Sequence, residues 1–437
     1  MKKQIFLIFL LLCLIFSGTG CIKDKNPVDG NGDNDQTIPS TMPQTDILWP
    51  SLADSPWPMF LHDPQHTGRS SYIGAQEGEL EWSFPAGGEI FSSPAIGDDG
   101  TLYFGCEFSA QSLYALDPNG NEKWHFQAAN KVESSPLVAA NGKIYFGDNA
   151  HCFYCLNSDG TLAWKYDTEG IFCYSSPTIS RDGSLIFVQV AQDFMGGKNG
   201  VFAFTPNGTL QWVFRPPESL PELVSFSPAL SPDSHTLYCP GLGVLYAVDT
   251  GGKLKWAYSA GISGGAGGLA STPAVDSQGN IYFRIGELCY SVTPSGDLRW
   301  QTSVLGGTYF SSPTIGRDGT IYVVGGESTS TESNHLYALD YEGNIKWVFS
   351  IHNSSESTPV IDGEGTIYLG TWSPHGSPYA ANLNFIAINP DGTEKYRAVF
   401  EGNPGIFPDI DTVPVIGANK RIYLGSDNGG HHLLCVK

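Results

Sequence analysis

The amino-acid sequence predicts an all-β fold, an eight-bladed β-propeller of four-stranded antiparallel blades closed by pairing of an N-terminal strand with the C-terminal blade. Three observations predict it. A Ser/Thr-Pro step recurs at Ser93-Pro94, Ser135-Pro136, Ser176-Pro177, Ser227-Pro228, Thr272-Pro273, Ser312-Pro313 and Thr358-Pro359, with a degenerate eighth at Val413-Pro414, and successive prolines lie 40 to 55 residues apart, the period of propellers and solenoids. A tryptophan closes each unit, at Trp82, Trp124, Trp164, Trp212, Trp256, Trp300 and Trp347, with Tyr396 in its place in the seventh. The ends are complementary: the last unit stops after its third strand at residues 433–436, and a lone copy of the fourth strand, residues 79–84, precedes the first unit. Pairing the two completes a blade and removes the open edges.

Composition agrees. Gly 52 and Pro 29 in 437 residues, with only 15% charged residues, against roughly 25% in an ordinary domain, exclude coiled coils and helical bundles. Phe 24, Tyr 20 and Trp 10 supply a large core and exclude a disordered chain. The net charge of −21 excludes a nucleic-acid partner, because phosphates are held by clustered Lys and Arg.

In chain order, residues 1–20 form a signal peptide: Lys2 and Lys3, an apolar run at 5–16, then small residues before Cys21. The run is too short to span a bilayer core of about 30 Å as a helix. Cys21 after Gly-Thr-Gly resembles the lipobox of bacterial lipoproteins, with Gly18 where that pattern prefers Leu. The resemblance implies acylation of Cys21 and a membrane-anchored protein of the bacterial cell envelope, facing the periplasm or the outside. Residues 21–55 read as a flexible tether, polar and turn-rich. Its acidic stretch at 29–35 lacks the Gly and Glu of a calcium loop. Residues 56–437 are the propeller.

Inside each propeller unit the Pro step is followed by an apolar pair, a Gly turn and an Ile/Leu-Tyr strand, as in Ala95-Ile96, Asp99-Gly100 and Leu102-Tyr103-Phe104-Gly105. A second hairpin follows, Leu113 to Asp117, a Pro-Asn-Gly turn, then Lys123-Trp124, with turn residues that accept positive φ. The recurring tryptophans read as sheet-to-sheet packing. The repeat Tyr114-Ala115-Leu116-Asp117-Pro118-Asn119-Gly120-x-x-Lys123-Trp124, and the lead-in Trp57-Pro58-Met59-Phe60 with His62-Asp63-Pro64-Gln65-His66-Thr67-Gly68-Arg69, resemble the pyrroloquinoline-quinone-type (PQQ-like) propellers. That resemblance implies two functional branches. One is the quinoprotein dehydrogenases; the other is non-catalytic lipoprotein propellers such as the B-subunit family of the outer-membrane β-barrel assembly complex.

The first branch needs calcium on Glu, Asn and Asp oxygens, a catalytic Asp, a cation near the quinone and usually a vicinal Cys-Cys disulfide. This sequence has no Cys-Cys. Besides Cys13 and Cys21 it has Cys106, Cys152, Cys155, Cys173, Cys239, Cys289 and Cys435, an odd set. Cys155 and Cys435 occupy the small position held by Ala115, Ala203, Ala247 and Ala338, and the offset between Cys152 and Cys155 puts them on opposite faces of a strand. Neither they nor the scattered histidines make a metal or nucleophile motif.

Two sets of residues are candidates for recognition. The residue three before each proline falls near the rim of the central channel: Phe91, Glu133, Tyr174, Ser225, Ala270, Phe310, Glu356 and Asp411. Acids and aromatics there suit a cation, a sugar or a basic peptide. Longer loops at 190–200 and 371–384 carry Phe194, Trp372 and Tyr379 as partner-binding candidates. The expectation is a monomeric, non-enzymatic binding or assembly scaffold with a protein partner at the envelope, no cofactor and no metal. Its alternatives are a PQQ-dependent, calcium-containing oxidoreductase and a carbohydrate-binding or adhesion propeller.

Overall fold

Each repeat becomes a four-stranded sheet because one row of side chains crosses it. In the first blade the strands are Ala95–Ile96 (β2), Leu102–Gly105 (β3), Ser112–Leu116 (β4) and Glu122–Gln127 (β5), and Tyr103 pairs with Ala115, which pairs with Trp124. The small residue between lets the two rings meet across it, 5.8 Å between centroids. The row repeats as Tyr145-Cys155-Trp164, Phe187-Ala203-Trp212, Tyr238-Ala247-Trp256, Tyr282-Ser291-Trp300 and Tyr322-Ala338-Trp347. Cys155 and Cys435 are therefore fully buried spacers, and the seven cysteines of the described residues are free thiols.

The computed structural model describes residues 41–107, 110–192, 198–261, 268–305, 311–325, 334–352, 355–371, 385–400, 409–427 and 431–437. Among them lie eight four-stranded antiparallel sheets, and no helix longer than a single turn. Inner strands are buried on both faces, whereas the outermost strand of each blade alternates exposed and half-buried, as expected for sheets packed face to face around a channel. Closure follows the predicted clasp: Leu80–Pro85 (β1) pairs with His432–Val436 (β32), giving the order β1-β32-β31-β30, where β31 is Ile422–Gly425 and β30 is Val415–Ile416. Arg421 locks this blade by a bidentate pair with Glu81 at 2.6 and 2.7 Å and a bond to the Pro118 carbonyl of the first blade.

Two further rings join neighbouring blades. Every tryptophan of the series except Trp82 donates its indole N–H to a turn carbonyl of the following blade, as in Trp124 to Ser158, Trp164 to Pro206 and Trp300 to Tyr341, and all seven lie on that turn's glycine. At Gly343, with φ +85°, a Cβ would stand 2.5 Å from Trp300, so both conformation and space require glycine there. The seventh blade has no such turn ahead of it, because the eighth is built from both chain ends. Tyr396 instead packs on Gly78 and donates to the Ala75 carbonyl, which explains the substitution in the series.

The Ser/Thr of each Pro step forms the second ring. The Ser93 amide donates to Ser135 Oγ, Ser135 to Ser176, Ser176 to Ser227, Ser227 to Thr272, Ser312 to Thr358 and Val413 to Ser93.

The boundary expected at residue 55 is corrected by the structure, because the packed unit already includes residues 41–55. The Met42 and Gln44 amides bond to the Asp318 and Arg317 carbonyls, Leu52 pairs with Ala139, and Trp49, Leu52 and Ala53 are buried. Arg69 and Arg317 grip Asp46 at 2.9 and 2.7 Å. Burial opposes ionisation of Asp46, but these two guanidinium groups hold its carboxyl below its ordinary range. The signal peptide, Cys21 and the first part of the tether lie outside the described residues.

Candidate functional site

The lead-in segment is what shapes the site. Its carbonyls accept hydrogen bonds from the inner strands of six blades: Trp57 from Ile96, Pro58 from Val138, Pro64 from Leu230, Gln65 from Val275, Thr67 from Ile315 and Gly68 from Ile361. Asp63 holds the turn that allows this, accepting from the Gln65 and Thr67 amides, and the buried His66 is pushed by desolvation down to about 4, so it stays neutral. The segment crosses the end of the channel opposite the eight entry loops. Phe60 of this segment lines the central cavity.

Five of the eight residues expected at the rim, Phe91, Glu133, Tyr174, Glu356 and Asp411, line this cavity together with Phe226, and its free volume is about 70 Å³. That is room for roughly five water molecules. Phe310 lies outside the described residues, as do Phe194, Trp372 and Tyr379 of the two long loops. Ser225 and Ala270 do not line the cavity. In the fourth blade the Ser225 hydroxyl turns away to the Cys173 carbonyl and the next residue, Phe226, faces inward; in the fifth, Ala270 pairs with Ile285.

The cavity is electrostatically two-sided. On one side Lys131 Nζ sits 2.7 Å from Glu107 and 3.4 Å from Glu133, and Asn149 donates to Glu133 at 2.7 Å. Burial, then the bond and charge of Glu133, push Glu107 up to about 9, whereas Glu133, despite burial, is held below its ordinary value by bonds from Glu107, Asn149 and Cys173 and by Lys131. One carboxyl is protonated, the other ionised, and Lys131 balances the charge. On the other side burial lifts Glu356 to about 7. Burial, with Asp427, Glu356 and Asp409 as like-charged neighbours, raises Asp411 well above its ordinary value. Asp411 Oδ1 is sealed from solvent and accepts no hydrogen bond. Tyr174, at φ +61°, meets Phe91 edge to face at 6.3 Å.

Sequence reasoning missed Glu107 and Lys131, which stand outside the repeat pattern; Glu107 meets Lys131 and Glu133 through blade packing, whereas Lys131 shares the entry loop of Glu133. It quoted Phe60 in the lead-in, but nothing in that motif signals that it crosses beneath the channel.

Residues 109–284 and 243–436 match the family described as outer membrane protein assembly factor BamB. The chain belongs to this family. No curated protein matches it. Among solved structures it is similar to quinohemoprotein alcohol dehydrogenase from Comamonas testosteroni, with a TM-score of 0.67 and 12% identity over 87% of this chain and 80% of that one. It is also similar to BamB from Moraxella catarrhalis, with a TM-score of 0.62 and 17% identity over 82% of this chain and 100% of that one. The Cps50 (Swd1) propeller domain of Myceliophteria thermophila gives 0.51 at 8% identity, covering 82% and 99%. One propeller fold thus joins this BamB-family chain to an alcohol dehydrogenase and to Cps50, so function has to be argued from the site.

Proposed function

We propose that this BamB-family propeller is a non-catalytic, lipid-anchored scaffold of the bacterial cell envelope, held on the membrane by Cys21 and binding a protein partner in the assembly of outer-membrane proteins. The family match over residues 109–436 carries the reading. The cavity favours it over the quinoprotein branch. Pyrroloquinoline quinone is a fused tricycle bearing three carboxylates; small-molecule sites of that kind take roughly 300 Å³ or more, against about 70 Å³ here. Its charge would meet Glu133, Glu356 and Asp411, and no Lys or Arg is among the described lining residues. Nor do the described residues contain a group of three His, Cys, Asp or Glu placed to hold a metal ion. These residues do not fit the cofactor with its calcium.

The test is crosslinking of the full chain in its native envelope, with Cys21→Ser as control. Capture of an outer-membrane assembly component, lost when the chain is no longer anchored, is the expected result. A rise in melting temperature with quinone and calcium, accompanied by quinone absorbance, would overturn the scaffold reading.

A further inference from the structure

We propose that the central cavity is a binding site for an organic cation, a guanidinium or alkylammonium head seated against Asp411 and Glu356. This deepens the scaffold reading and rests on it only for where the cation comes from.

Four observations carry it. Asp411 Oδ1 is buried without a hydrogen-bond partner and its side chain lines the cavity; an orphaned acceptor of this kind is costly until a donor reaches it. Four aromatic rings, Phe60, Phe91, Tyr174 and Phe226, stand in the wall among Ser and Thr hydroxyls and Val413, and such rings stack on cationic heads. Lys131 faces the Glu133 side, whereas the charged groups that act on Asp411 are the acids Asp427, Glu356 and Asp409. A free volume of about 70 Å³ suits one compact head and excludes a sugar ring with its hydroxyl shell. The described acids are also not grouped closely enough for a bare metal ion, which points to a broader cation with several N–H donors.

Burial lifts the Glu356 and Asp411 carboxyls, so a bound cation draws protons off them. The titrating and charged groups facing the pair are Glu133 and Tyr174 across the cavity, Asp409 and Asp427 beside Asp411, and Glu107 and Lys131 behind Glu133.

The experiment is calorimetry on the full chain with N-acetyl-arginine amide, its neutral isostere N-acetyl-citrulline amide, and a Gly-flanked arginine peptide. The expected result is arginine binding at least about tenfold tighter than citrulline, with proton release near neutral pH. Asp411→Asn with Glu356→Gln should abolish the difference. The wild-type comparison needs no variant, so a misfolded variant leaves the test intact. Tighter binding of the peptide assigns the cation to a partner's side chain, and tighter binding of the amide assigns it to a small diffusible cation; both uphold the site. Equal affinity for arginine and citrulline, or no binding of either, overturns it. Envelope crosslinking that persists after such a failure would leave the scaffold reading standing.

Discussion

Glu356→Gln tests the electrostatics of the cavity. Burial raises the glutamic acid from 4.5 to about 7, and a raised acid means that the folded protein binds more protons than the unfolded chain between those values. Stability contributed by the protonated form is therefore present below about pH 4.5 and is lost as pH rises through about 7. At roughly 1.4 kcal/mol per pH unit the upper bound is about 3 kcal/mol. Relaxation of the surroundings around the ionised carboxylate reduces the expected effect to about 1–2 kcal/mol. Glutamine keeps the shape and removes the ionisation. The variant should match the wild type in urea unfolding at ~pH 5 and exceed it by that amount at ~pH 8. A stability difference of the same size at both pH values would refute the reasoning, because shape alone would then explain it.

Three other substitutions probe the frame. Ala338→Leu inserts a branched chain between Tyr322 and Trp347, whose rings lie 5.8 Å apart, and should lower stability by about 3 kcal/mol in urea unfolding. Gly343→Ala places a methyl 2.5 Å from Trp300 at φ +85°, for a loss of about 2 kcal/mol with a shift in indole fluorescence. Arg421→Ala removes the partly exposed pair with Glu81 and should cost only about 1 kcal/mol, but speed amide exchange selectively in β1 and β32.

The repeat was legible because its signals are local. The Pro step, the Gly turn and the aromatic row each report a constraint within one blade, and the complementary ends announced the clasp. The rim positions were legible for the same reason: a constant offset from the proline points to a constant place in each blade. That rule failed at Ser225 and Ala270, where the loop turns a different residue or none toward the channel, and such loop geometry has no sequence period. Glu107 was invisible because it meets Glu133 across a blade interface, and Lys131, two residues before Glu133 in the same loop, has no counterpart in the repeat. The path of the lead-in segment was hidden more deeply. Residues 57–68 spend their carbonyls on six blades at once, a long-range pattern that short motifs do not encode.

The hydroxyl ring is interrupted between the seventh and eighth blades, and the interruption coincides with the acids Glu356 and Asp411. Val413 donates its amide to Ser93 but, unlike the Ser or Thr of the other Pro steps, has no side-chain oxygen to accept from the seventh blade. Ser357 Oγ bonding to the Thr412 carbonyl at 2.9 Å is the polar contact made there instead. Glu356 and Asp411 flank this same junction, one on each blade, and their mutual repulsion weakens it further. Val413→Thr supplies the missing acceptor at nearly constant volume, so it should raise stability by up to about 1 kcal/mol, while Val413→Ala should lower it through lost packing at a residue only 6% exposed. The gain should grow at high pH, where the repelling pair is ionised and the junction is under most stress. If Thr and Ala destabilise alike, the side chain at 413 serves packing alone and the hydroxyl ring does not govern closure.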